Sequence, residues 1–582
     1  MRKRTSANEG DNMKKYFFIF ALFCSIYAQK HISIDFSETV DTMKSDLFGG
    51  IKGPGIASEY LRATGMKYIR THDYHGPADY CYYSDFWNTD ASGEFTTINE
   101  DFDPDNPADY DWIATDMKLN AIVDNGFEIY FRLGVSFPNT SLPPQIYDPP
   151  IDSYDDTLSF SRFASLCKHT AMHYNDGWDD GFYHDIEYFE IWCEPGGEFW
   201  DGSKVQFYYM FKFVSDTMKA YDPSIKIGGP GLIAGAVVGG NPNYREKFLA
   251  FMDSTDTQLD FYSWHIAGLQ NPYSLKAYAD TFRNMLNDFG FNNTESHIVL
   301  ITSEEDTIRL AYSPKGAAHY TACAITIQRS SIDKIFWYPY NFMVIAPGED
   351  TVYTQAANSM KAFHLMQEET PLIVSSDGDE VIPHPFDRDT TNFMTLAAKS
   401  QDSRKLFILI ANSKSLNDEY SISINNLPWT DGDTILLMKN LIIDTLNFIE
   451  EDDTIYCGGD SLLLSFSDVD APSVLFLRLI NLSISNIYEE RTENPEANLK
   501  ILKNPFNNVC EIRALKNSDV RIFDVSGKLV FFSSRQDGKN SYDEELYRKI
   551  FWQPSAENSS GIYLVEAINK GRLERQKVLY IK

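Results

Sequence analysis

The sequence predicts an α/β chain built as a (β/α)8 barrel, followed by an antiparallel β-sandwich and a smaller β-sandwich. Three observations carry this reading. Eight short apolar runs alternate with amphipathic stretches between about residues 45 and 340. After about residue 355 the pattern changes to short strands parted by polar turns. A polar stretch at 481–498, with Glu489, Glu490, Arg491, Thr492 and Pro495, then separates off a last β-rich segment. A length of 582 residues suits about four domains, or three if one is a large barrel.

The first 28 residues read as a secretory signal peptide with an upstream extension. Lys14 and Lys15 precede an apolar run from Tyr16 to Tyr27 that ends in Ala28, with Met13 as the start. That run is too short to span a bilayer. No later apolar segment reaches that length, so no transmembrane helix is expected in the mature chain. Residues 29–352 form the barrel. Its strands are expected at Phe48-Gly49, Lys67–Arg70, Glu128–Leu133, Tyr188–Trp192, Lys226–Gly228, Leu259–Trp264, Ile298–Thr302 and Ile335–Tyr338. Helices are expected at Asp109–Asn125, Ser159–Tyr174, Lys204–Tyr221, Tyr273–Phe289 and Lys315–Ser330. Gly126 is placed to cap the first of these, and Asp222-Pro223 stops the third. The alternative, an open doubly wound sheet, lacks a Gly-rich phosphate fingerprint after its first strand.

The sandwich is assigned to residues 353–480, with strands at Phe393–Ala398, Lys405–Ala411, Tyr420–Ile424, Thr434–Met438, Ser461–Phe466 and Ser473–Leu479. Residues 499–582 form the last module, with strands at Asp519–Phe523, Lys528–Phe532, Gly561–Ala567 and Gln576–Ile581.

Composition narrows the function. Hydrophobic residues make up 43% and charged residues 23%, which excludes a mainly disordered chain. A formal charge of −32 repels phosphates and argues against a nucleic-acid partner. Aromatics reach 14%, which suits sugar ligands and also serves a β-rich core. The six cysteines after residue 28 are sparse, with no C-x-x-C pair, so neither a zinc site nor a dense disulfide framework is expected. No metal and no organic cofactor is called for.

Two segments carry chemistry. In Tyr188-Phe189-Glu190-Ile191-Trp192-Cys193-Glu194-Pro195 a buried strand runs into a carboxylate followed by proline. Pro195 cannot extend the ladder and leaves Glu194 at the rim, where barrel active sites lie. The bland alternative is a strand-end glutamate in a salt bridge. In Ile298-Val299-Leu300-Ile301-Thr302-Ser303-Glu304-Glu305-Asp306, three acids follow an apolar strand, which a solvated loop also explains. The fourth and seventh strands of an eight-stranded barrel lie nearly opposite. Two carboxylates facing a glycosidic bond meet the requirement of glycoside hydrolysis, with one protonated and one ionised.

These segments resemble glycoside hydrolase family 39, in the clan of retaining (β/α)8 glycosidases that includes β-xylosidases and α-L-iduronidases. The resemblance spans roughly residues 45–345. It rests on Ile69-Arg70-Thr71-His72, Glu190 to Pro195, Phe199-Trp200-Asp201-Gly202, Lys226-Ile227-Gly228-Gly229-Pro230, Ser263-Trp264-His265 and Ser303-Glu304-Glu305-Asp306. It implies Glu194 as general acid/base and Glu304 as nucleophile, with Glu305 as the other choice. It implies sugar contacts from His72 and His265, and Trp264 shares the strand-six motif. Trp337 or Tyr338, ending the eighth strand, is an aromatic floor for the sugar ring or part of the core. The clan carries asparagine before the acid/base, to bind the sugar 2-hydroxyl; here the residue is Cys193, a weak donor and acceptor. That departure keeps open a catalytically weak, carbohydrate-binding surface protein as the alternative function. Glu304-Glu305-Asp306 matches neither the xylosidase-like nor the iduronidase-like pattern fully, so the resemblance does not fix the sugar.

The C-terminal segment resembles a type IX secretion sorting domain, on Asn504-Pro505-Phe506-Asn507, Ile522 to Lys528, Ser559-Ser560-Gly561-Ile562-Tyr563 and Val578 to Lys582. That implies an immunoglobulin-like sandwich, the secretion machinery as a partner, and a bacterial protein exported through an outer membrane, then secreted or held at the cell surface.

Overall fold

The computed structural model describes residues 30–580 except 52–57, 136–147, 234–242, 268–271, 302–309, 339–343, 346–351, 382–391, 414–418, 444–447, 484–498, 502–509, 535–546 and several gaps of three residues or fewer. The leader segment, Cys81, Glu304, Glu305, Asp306 and the Asn504–Asn507 motif therefore lie outside the described residues. The chain divides into two compact units, one ending at Ser483 and the other starting at Ile484.

Eight parallel strands close the barrel of the first unit. They are β1 (Phe48–Ile51), β2 (Met66–Arg70), β3 (Glu128–Leu133), β4 (Tyr188–Ile191), β5 (Lys226–Ile233), β6 (Phe261–Ala267), β7 (Glu295–Ile301) and β8 (Lys334–Tyr338). β8 returns to pair with β1. All eight fall where the apolar runs predict them, because strands covered on both faces read as nearly continuous apolar sequence. A helix follows each strand: α1 (Ser58–Ala63), α2 (Ile113–Asp124), α3 (Ser161–Asp176), α4 (Lys204–Tyr221), α5 (Tyr244–Ser254), α6 (Ser274–Asp288), α7 (Pro314–Gln328) and α8 (Gln355–Glu369). Ser203 and Gln206 form a capping box that starts α4, and the helix ends at Asp222 before Pro223. Gly126, at φ 77°, takes the left-handed turn that lets the chain leave α2.

Two features depart from the expected boundaries. α8 lies beyond residue 352 yet is the barrel's eighth helix, capped by Thr354 and burying Ala356, Ala357, Met360, Phe363 and Met366. The strand Lys30–Thr42 precedes the barrel in the chain but is not part of it. It pairs parallel with Tyr420–Asn425 and antiparallel with Leu372–Ser376.

Those pairings join a ten-stranded sheet. Its order is Phe448–Tyr456, Thr434–Ile442, Ser473–Asn481, Lys405–Asn412, Asn392–Lys399, Leu372–Ser376, Lys30–Thr42, Tyr420–Asn425 and Leu462–Phe466, with Glu380–Val381 added beside Asn392–Lys399. The sheet is mixed rather than wholly antiparallel, because the Lys30–Thr42 ladder with Tyr420–Asn425 is parallel. α7 is buried along almost its whole length, from Pro314 to Gln328, since it packs on α8 and on the sheet strands Lys405–Asn412 and Ser473–Asn481. Barrel and sheet thus share one core, in which Phe407, Leu409, Val474 and Phe476 meet barrel residues.

The second unit holds a three-stranded sheet (Leu499–Ile501, Cys510–Leu515, Tyr547–Trp552) and a four-stranded one (Leu529–Ser533, Asp519–Phe523, Gly561–Asn569, Arg572–Tyr580). Ile512, Ile522, Trp552, Tyr563 and Val565 are among the residues of its core. Among the described residues no helix is long and apolar enough to cross a membrane. Cys167, Cys193, Cys323, Cys457 and Cys510 are free thiols.

Candidate active site

Side chains alternate across each barrel strand, so parity decides which residues enter the lumen. Tyr68, Tyr130, Tyr188, Phe261, Val299 and Phe336 fill its middle. One pleat further toward the C-terminal ends come Arg70 on β2, Arg132 on β3, Glu190 on β4, Ser263 on β6 and Tyr338 on β8. This end of a barrel is where strand-end residues from several strands converge on one ligand.

A buried ionic chain underlies the rim. Arg70 Nε donates to Glu190 Oε2 at 2.5 Å, and the two side chains are only 2% and 0% exposed. Ser263 Oγ donates to the other carboxylate oxygen at 2.6 Å and accepts the Gly231 N–H at 2.8 Å. The Gly231 carbonyl accepts the Glu194 N–H at 3.2 Å. Burial pushes the Glu190 carboxyl up, but the Arg70 guanidinium outweighs it and holds the group below its usual range. Four residues on four strands therefore fix the backbone of Glu194.

Glu194 leaves β4 through a tight turn. Trp192 and Glu194 adopt φ of 70° and 49°, a left-handed conformation that costs a non-glycine residue of order 1 kcal/mol or more. Trp192 anchors the turn with its indole N–H on the Phe199 carbonyl at 2.8 Å, its ring lying against Tyr80 and Trp200. Glu194 keeps 12% of its side chain exposed, and its Oε1 lies 2.6 Å from Nδ1 of buried His265. Cys193 sits between these layers, buried, with Sγ 3.9 Å from Arg70 Nη2. Burial pushes its thiol up, and Arg132 and Arg70 only partly offset this.

His72 follows β2. Its ring stacks on Tyr338 at 5.8 Å between centroids and its Nδ1 lies 2.7 Å from Asp73 Oδ1. Burial, reinforced by the Arg132 charge, pulls the imidazole down to about 3, so it is neutral at physiological pH.

Of the expected site residues, the structure brings together Cys193, Glu194 and His265, and places His72 against Tyr338. Two expectations are corrected. Trp264 has the opposite parity to Ser263 and His265; it points outward, stacks on Phe282 at 4.4 Å and donates to Ser296 Oγ. Trp337 likewise packs outward, against Tyr320 and Phe48. Both are core residues. Glu304 and Glu305 lie outside the described residues. Arg70, Arg132, Glu190 and Ser263 were given no role from sequence, although a lone charge inside Tyr-Phe-Glu-Ile is a signal of a buried ion pair. A separate cavity of about 430 Å³, lined by Lys226, Asp260 and Glu295 among others, lies at the strands' N-terminal ends, away from Glu194.

Residues 94–290 match the family model for glycosyl hydrolases family 39, a stretch that runs from before α2 through α6 and contains Glu190, Cys193, Glu194 and His265. Solved structures share the fold. A glucosidase from Croceicoccus marinus is 19% identical with a TM-score of 0.57, covering 78% of this chain and 99% of its own. The family 39 enzyme of Xanthomonas axonopodis pv. citri is 13% identical with a TM-score of 0.56, covering 79% and 99%. A monomeric β-xylosidase from Caulobacter crescentus is 13% identical with a TM-score of 0.54, covering 78% and 100%. By the family match, the protein is a glycoside hydrolase. Within that class, its barrel carries a domain of the family 39 type over residues 94–290.

Proposed function

We propose that this glycoside hydrolase works with retention of anomeric configuration on oligo- or polysaccharides of plants or algae, in the manner of a β-xylosidase. One observation carries the reading: Glu194 stands on the rim after β4, hydrogen-bonded to His265 and fixed by a buried ionic chain. Glu194 protonates the leaving oxygen while Glu304 attacks the anomeric carbon. The glycosyl–Glu304 ester is then hydrolysed by water that gives its proton to Glu194. His265 orients the carboxyl that moves the proton, and His72, Tyr338 and Cys193 contact the sugar, with Glu305 beside the nucleophile. The two catalytic carboxyls of such an enzyme stand about 5–5.5 Å apart.

The test is proton NMR of the first product formed from a panel of aryl xylosides, arabinosides, glucosides and iduronides. Retention is expected, with turnover abolished in Glu304→Ala. Glu194→Ala should keep activity only on good leaving groups and regain rate with azide. Inversion, or unchanged turnover in either variant, overturns the reading. Cys193 favours one competitor, a barrel that binds glycans with little hydrolysis. Glycan binding with no turnover on the whole panel, even in Cys193→Asn, would establish it.

The leader-like segment and the C-terminal β-unit further support export through an outer membrane, with residues 499–582 as the sorting domain. N-terminal sequencing of the exported protein should give Gln29 first. Retention of the protein inside the cell would overturn this.

A further inference from the structure

Cys193 brings a soft ligand to a place where the rest of the rim offers carboxylate and imidazole. Its Sγ, a carboxylate oxygen of Glu194 and a ring nitrogen of His265 all lie within 4.8 Å of one another. A second observation concerns His265 itself. The ring is 2% exposed, and while Nδ1 faces Glu194, Nε2 meets no hydrogen-bond partner. The Cβ position of an alanine at Gly231 would fall 3.1 Å from that Nε2 and 3.5 Å from the Cys193 Cα, so the bare atom lies beside Gly231 on the side of Cys193. A buried imidazole nitrogen with nothing to bond is uncommon, and a ligand is the ordinary remedy.

We propose that Cys193, Glu194 and His265 form a site for a thiophilic divalent cation such as Zn²⁺, and that the bound ion blocks the acid/base carboxyl and halts hydrolysis. Thiolate, imidazole and carboxylate are the three ligand types zinc takes, and three protein ligands leave a fourth position for water. Tetrahedral zinc holds such atoms about 3.3–3.6 Å apart, so on binding Glu194 gives up its 2.6 Å contact with His265 Nδ1 and the three ligand atoms gather around the ion. Binding releases the thiol proton to solvent. Two guanidiniums stand nearby. Arg70 is neutralised by Glu190 at 2.5 Å, and Arg132 favours the thiolate that the ion requires. The block rests on the proposed role of Glu194; the ion site itself does not.

The experiment is a titration of the full chain with Co²⁺ and Zn²⁺ alone, without substrate, followed by absorbance and calorimetry. One equivalent of Co²⁺ is expected to bind with a thiolate-to-cobalt charge-transfer band in the near ultraviolet. Cys193→Ser should lose the band, and both Cys193→Ser and His265→Ala should weaken Zn²⁺ binding at least 100-fold. Cys457→Ser should leave both unchanged. Thermal melts of each variant show that it is folded; should His265→Ala be unfolded, His265→Gln replaces it. No binding at 1 mM metal, or a band that persists in Cys193→Ser, overturns the proposal. In an active enzyme, micromolar Zn²⁺ should inhibit hydrolysis at least 10-fold and a chelator should restore it. A protein that binds the ion but hydrolyses no glycoside keeps the site and loses the proposed reaction; one that hydrolyses but binds no ion does the reverse.

Discussion

Replacing Arg70 by methionine tests the layer on which the rim stands. Arg70 and Glu190 are almost completely buried, and among the described residues Glu190 keeps only the Ser263 hydroxyl as donor once the guanidinium is gone. Removing one partner of a buried ion pair strands the other charge and costs about 3–5 kcal/mol. The first unit spans about 450 described and intervening residues, and unfolding entropy of ~2.1 cal/mol/K per residue gives about 1 kcal/mol per degree. Arg70→Met should therefore lower its melting temperature by about 3–5 °C, read by near-ultraviolet circular dichroism of the barrel tryptophans. Adding Glu190→Leu should restore most of the loss, because an apolar pair of similar volume is close to neutral in such a place. The pH dependence has a definite sign. In the wild type Glu190 is held below its usual range, so the pair's contribution is present above the unfolded carboxylate value near ~4.3 and is lost as pH falls through the folded value. In Arg70→Met the largest lowering influence is gone, so burial drives the carboxyl up against the remaining Ser263 bond, and the deficit should shrink as acidification neutralises it. A melting temperature within 1 °C of wild type, no recovery in the double variant, or a deficit that grows on acidification would refute the argument.

Other substitutions separate structural from functional roles. Ser263→Ala leaves one oxygen of Glu190 and the Gly231 N–H without their partner; stability should fall by about 1–3 kcal/mol and kcat should drop with KM little changed. Trp264→Phe removes the bond to Ser296 on the neighbouring strand β7, on the outer face of the barrel, so the melting temperature should fall while KM for any aryl glycoside stays within twofold; a large KM change would return Trp264 to the site. Glu295 is pulled down to about 2: burial works against its charge, but His297 and Lys226 outweigh burial. Its contribution, of order 3 kcal/mol, is present above ~4.3 and fades between there and about 2. The melting-temperature gap between wild type and Glu295→Gln should accordingly be widest at pH 6 and narrow below pH 4.5.

Much of the barrel was legible because parallel strands covered on both faces must be apolar nearly throughout, and α4 because its capping box and Asp-Pro stop are local signals. α8 was not, since Ala356, Ala357, Met360 and Phe363 are spaced among Gln, Asn and Lys and the helix buries its face mainly against α7, with Phe363 on Phe48 of β1. The Lys30–Thr42 strand hid for a different reason: its parallel partner lies almost 400 residues away, beyond any local pattern. At the site, the sequence placed Glu194 and His265 near the C-terminal ends of β4 and β6, but side-chain parity could not be read. A shift of one residue exchanges lumen and exterior, which is why the ring of Tyr338 reaches His72 while its neighbour Trp337, equally aromatic, packs outward.

Parity also explains why one barrel can hold two charged layers without mixing them. At the N-terminal end Lys226 bridges Glu295 at 2.5 Å and Tyr188 at 2.9 Å, and His297 bonds Glu295 and the Tyr130 hydroxyl. Above lies the aromatic middle, where the Tyr130 ring meets Phe336 at 4.5 Å and Phe261 at 5.4 Å. Only beyond it do Arg70, Glu190 and Ser263 begin. Lys226 is paired with Glu295 below the rings and Arg70 with Glu190 above them. Glu194 is then governed by its own neighbours, His265 and Cys193, rather than by the lower ionic cluster. A change at Lys226 or Glu295 is therefore felt as stability, whereas a change at Ser263 or His265 reaches the carboxyl of Glu194, the proposed acid/base.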